Sequence, residues 1–78
     1  MKHCRALYDL ADGESGTVCH IADMSGIGTR LMELGITEGA NIKCVGISPL
    51  GDPSAYMVRG AVIALRSEES KGIYIRSD

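Results

Sequence analysis

Ten acidic and eight basic side chains leave this 78-residue chain with a net charge of −2, and 45% of its residues are hydrophobic against 23% charged. A chain of this length buries only about 60% of its unfolded surface, which favours one small domain over residues 1–78 and disfavours a core wrapped round a catalytic cleft. The hydrophobic share argues against disorder, the scattered Lys and Arg argue against a nucleic-acid partner, and no apolar run approaches the roughly 20 residues of a bilayer span.

The first residues, Met1-Lys2-His3-Cys4-Arg5, lead into no apolar run of the secretory kind, so the cytoplasm is the expected compartment. Leu7 and Leu10, three apart, predict a helical turn or lead-in over residues 6–11, and residues 12–16 read as a turn. In residues 17–22, Val18 and Ile21 have opposite parity, so that strand needs a bulge or two buried faces. The period then changes. Ile27, Leu31 and Leu34 fall at i, i+4 and i+7, predicting a helix of about two turns over residues 25–35. Ser25 is placed as its N-cap, and Gly35 followed by Ile36 as a left-handed C-cap.

Residues 41–47 are rich in β-branched side chains and read as a strand. Pro49 and Pro53 force a loop over residues 49–53, because proline removes a ladder donor and restricts its predecessor. Residues 55–58 and 61–65 form a hairpin round Arg59-Gly60. Residues 67–70 suit a single helical turn with Ser67 as cap and two acids at its start, and Ile73 and Ile75 share one face of a last strand with Tyr74 on the other. Five short strands and one small helix predict a mainly β fold, a compact closed or nearly closed barrel.

Several of these residues form motifs in a recognisable order. Leu7-x-x-Leu10 precedes Gly13 and Gly16-x-Val18; RLMELGI spans residues 30–36; PLGDP spans 49–53, VRG spans 58–60 and ALRSEE spans 64–69. The chain thus resembles the ferrous iron transport protein A (FeoA) family over nearly its whole length, with PLGDP after a helix ending in Leu-Gly-Ile the most specific element. The resemblance implies a small SH3-like five-stranded barrel with one short helical insertion. It also implies a non-enzymatic cytosolic accessory that binds or regulates FeoB, the membrane transporter of Fe(II). The same fold occurs in iron-dependent repressors, but no helix-turn-helix text precedes it here. An alternative is a metal-responsive module that binds a divalent cation and changes its association. Ser70 stands where the family leads one to expect Ala.

The residues themselves offer few sites. With no Trp or Phe and only Tyr8, Tyr56 and Tyr74, the chain lacks the aromatics of a proline-rich peptide groove. Gly26-x-Gly28 beside Arg30 has the form of a phosphate cradle, but a lone pair of glycines is read as a turn. Cys4, Cys19 and Cys44 form no C-x-x-C and are expected as buried hydrophobes or idle thiols. The only metal-ligand candidates are His3, Cys4, Cys19 and His20, without the spacing of an iron site, so no cofactor is expected beyond a weakly held divalent metal. No nucleophile and base pair is visible. Partner contact remains, and it is assigned to the outer helix face at Arg30, Glu33 and Met32, with Pro49, Leu50, Gly51, Asp52 and Pro53 as the second choice. Exposed barrel edges also allow self-association.

Overall fold

A computed structural model describes residues 4–22, 28–50 and 52–77. Strand β1 (Cys4–Ala6) leads through a 3₁₀ turn at Leu7–Asp9 to β2 (Ser15–Ile21), and helix α1 (Gly28–Glu33) precedes β3 (Asn41–Ile47). Strands β4 (Ser54–Val58) and β5 (Ala61–Leu65), the single turn α2 (Ser67–Ser70) and β6 (Ile73–Ser77) complete the chain. The strands form one antiparallel sheet in the order β1-β6-β2-β3-β4-β5.

The sheet has six strands where five were expected. The extra one is β1, three residues without an alternating pattern, which becomes a strand by docking Cys4, Arg5 and Ala6 against Arg76, Ile75 and Tyr74. Elsewhere the pattern of the sequence reappears in three dimensions. The parity conflict between Val18 and Ile21 is resolved by a bulge between Val18 and His20, which lets Val18 enter the core while Ile21 packs at its margin. A second bulge, between Cys44 and Gly46, bends β3 after Ile42 and Cys44 have been buried. Leu7, Leu10, Leu31, Ile36, Tyr56, Val58, Leu65, Ile73 and Ile75 fill the rest of the core.

Helix α1 ends as its sequence requires. Gly35 adopts φ +89°, and the amides of Gly35 and Ile36 donate to the carbonyls of Met32 and Leu31 at 3.0 and 2.9 Å, a Schellman closure with buried Ile36 as its apolar contact. Leu31 is fully buried and Leu34 packs against the core, while Ser25 and Ile27 lie outside the described residues. The β4–β5 hairpin turns through Arg59 at φ 51° and Gly60 at φ 82°, the paired positive angles of a type I′ turn, with Val58 opposite Ala61. The Asp52–Pro53 peptide is cis.

Candidate functional site

Helix α2 is the point where the two surfaces picked from the sequence meet. Its anchor is Glu69, whose side chain is 7% exposed. One carboxylate oxygen accepts the backbone N–H of Arg66 at 2.9 Å, satisfying the donor just before the turn, and the other accepts from the Arg30 guanidinium of α1. A buried carboxylate needs such partners, because desolvation without them is costly. The 49–53 loop reaches the same turn from the other side. Asp52 accepts from the Ser67 amide at 3.1 Å and from the Ser67 hydroxyl at 3.2 Å. Ser67 is therefore not the cap expected of it: the helix start is satisfied by Glu69 from within and by Asp52 from without. Ser70 is buried, and its hydroxyl donates to the Ser67 carbonyl at 3.3 Å.

Two concavities flank this turn. One, of about 330 Å³, is lined by Arg30, Ala64, Arg66, Glu68 and Glu69, and the other, of about 280 Å³, by Asp52, Pro53 and Arg66. Arg66 lines both, with Arg30 of α1 in the first and Pro53 of the loop in the second. Met32 is 66% and Leu50 92% exposed, and Glu33, Pro49 and Pro53 are also exposed. Gly51 lies outside the described residues. The sequence does not single out Arg66 or Glu69 as site residues, although an acid three residues after the residue preceding the turn is a signal for the Glu69 contact.

The metal-ligand candidates fare differently. His3 lies outside the described residues, as does Gly26 of the Gly-x-Gly pair. Cys4 and Cys19 are not idle thiols: they are joined as a disulfide, with Cα atoms 6.9 Å apart, between β1 and β2, the two strands that flank β6. Cys44 is free and buried, as expected of a small hydrophobe. His20 is exposed, its ring 6.0 Å from that of Tyr74. Among the described residues no three His, Cys, Asp or Glu side chains converge, and no described helix is long and apolar enough to cross a membrane.

The family model of the FeoA domain matches residues 5–77. This chain belongs to the FeoA family. The FeoA-like protein of Clostridium acetobutylicum is 30% identical in a comparison covering 99% of this chain and 90% of that one, with a TM-score of 0.89. The FeoA of Stenotrophomonas maltophilia, described as a zinc complex and a prokaryotic SH3 domain protein, is 30% identical over 94% of this chain and 88% of its own, with a TM-score of 0.78. A manganese-dependent transcriptional repressor, 21% identical, shares the fold over 96% of this chain and 42% of its own at a TM-score of 0.88. No curated protein matches the chain. The FeoA assignment joins the chain to a family involved in ferrous iron transport and confirms the mainly β, SH3-like fold.

Proposed function

We propose that this FeoA-family chain is a cytosolic, non-enzymatic accessory of ferrous iron uptake that binds the cytosolic portion of the Fe(II) transporter FeoB. The surface assigned to the contact is the one around α2. The observation that carries this reading is Arg66 lining both concavities, one with Arg30 of α1 and the other with Asp52 and Pro53 of the loop, the two elements that also carry exposed Met32 and Leu50. Exposed apolar side chains beside charged groups are the composition of a contact that associates without being obligate. The test is capture of purified transporter cytosolic domain by this protein, with and without guanine nucleotide. Wild type retains the domain, and Arg66→Glu combined with Leu50→Ser loses it; equal retention by both refutes the assignment.

The zinc-complexed relative favours a second reading, in which a divalent cation binds and changes association. The described residues bring no three ligands together, so no site in this chain is assigned to it. A saturable rise in melting temperature with Fe(II), Mn(II) or Zn(II) would establish that reading, because a ligand of the native state stabilises by mass action.

A further inference from the structure

Strand β5 pairs with β4 on one side and stands at the end of the strand order, so among the described residues no strand pairs with its other edge. Its sequence, Ala61-Val62-Ile63-Ala64-Leu65, contains none of the charges or prolines that normally blunt such an edge. The hairpin geometry fixes which groups point outward. A two-residue I′ turn is closed by a hydrogen-bonded pair, here Val58 with Ala61, and bonded pairs alternate with non-bonded ones along an antiparallel ladder. Val62 and Ala64 therefore turn their N–H and C=O away from β4. Among the described residues neither makes a backbone hydrogen bond outside the ladder.

This edge opens into the larger concavity, where Ala64 shares the wall with Arg30, Arg66, Glu68 and Glu69. Arg30 is engaged by Glu69, whereas no carboxylate lies within ion-pair distance of the Arg66 guanidinium among the described residues. The geometry points to strand addition: an extended segment of the partner pairs with β5 through Val62 and Ala64, placing a carboxylate on Arg66 and no second acid near Glu68. Main-chain pairing supplies affinity in such contacts and the flanking side chains supply selection. A second copy of this chain is the poorer occupant. Antiparallel pairing of Val62 with Ala64 of a copy sets the copy's Gly60 opposite Arg66, so a copy brings no carboxylate to that guanidinium.

This inference rests on the partner-binding reading and specifies how the contact is made. The experiment is amide hydrogen exchange, read by NMR on the ¹⁵N-labelled protein with and without the transporter's cytosolic domain. Strand addition slows exchange at Val62 and Ala64 by at least about tenfold in the complex. Ala64→Pro removes an outward N–H while sparing the β4 ladder, a place where an edge strand tolerates proline, and it weakens capture by about tenfold or more. Capture with both amides unprotected overturns strand addition and leaves the partner reading standing. Absence of capture overturns both. Protection that grows with the concentration of this chain alone, with a doubled mass, identifies a second copy as the occupant and also overturns the proposal. Should Ala64→Pro fail to fold, the wild-type exchange measurement decides by itself.

Discussion

The Arg30 guanidinium on α1 donates to the Glu69 carboxylate on α2, and this ion pair ties together two helical turns that are 39 residues apart in sequence. Arg30 remains half exposed while Glu69 is almost wholly covered, so the pair is asymmetric. Removing the exposed partner leaves a buried carboxylate, and removing the buried one also strips the donor at Arg66 of its acceptor.

Arg30→Ala is accordingly expected to cost more than Glu69→Ala. It leaves a nearly buried carboxylate without its cation and should destabilise by about 3 kcal/mol, whereas Glu69→Ala frees a half-exposed guanidinium to hydrate and loses the acceptor of one amide, at about 1–2 kcal/mol. Urea denaturation of both variants checks the order; a larger loss for Glu69→Ala contradicts it.

Leu31→Ala should cost about 2–5 kcal/mol, because Leu31 is fully buried and its truncation leaves a cavity beneath α1. Leu34→Ala, at the margin of the core, should cost less. Thermal melts of the two variants measure the difference, and equal losses would show that α1 is not seated on Leu31.

Met32→Ser and Leu50→Ser are expected to change stability by no more than about 0.5 kcal/mol, since both side chains are mostly in solvent. The same changes should weaken retention of the transporter's cytosolic domain. Unaltered retention with both substitutions combined would remove these side chains from the contact.

Two titrations shape the pH dependence. The Ala11 amide at 2.7 Å and then the Arg5 guanidinium hold the Glu14 carboxyl below its ordinary range. Its contribution to stability is present above the ordinary carboxylate value of about 4.3 and is lost as the pH falls through the lowered one. Burial, and then Cys44, raise the Tyr56 hydroxyl above its ordinary range, against hydrogen bonds from Ser70 and Ser54. That contribution is complete below about pH 10 and is lost as the pH climbs through the raised value. Glu14→Gln should flatten the acid limb of a stability profile and Tyr56→Phe the alkaline limb, while a profile unchanged in both variants would contradict the two assignments.

Local chemistry was legible in the sequence, and long-range geometry was not. Leu31, Leu34, Gly35 and Ile36 specify a helix and its ending through spacing and backbone freedom alone, and the structure shows each in that role. The opposed parity of Val18 and Ile21 left a bulge or two buried faces as the alternatives, and the structure has the bulge. Strand β1 carries no pattern of its own and exists only because β6 offers it an edge. The union of Cys4 and Cys19 depends on β1 and β2 both pairing with β6, a long-range arrangement that two cysteines 15 residues apart do not encode. At the candidate surface Arg30 and Glu33 were identifiable as outward-facing, whereas Met32, as readily a core residue by its spacing, proves exposed, and Asp52, chosen for contact, is committed to the start of α2. Arg66 acquires its place only when the loop, α1 and β5 converge on it.

The Arg59 side chain lies against Gly35 and donates from Nε to its carbonyl at 3.3 Å. A Cβ at Gly35 would stand 2.9 Å from the Arg59 Cδ. The tip of the β4–β5 hairpin and the last turn of α1 thus brace one another, two chain reversals sharing a single strut. Loosening the hairpin tip therefore withdraws a side chain that covers the end of α1, and a bulkier residue at Gly35 would push that side chain away.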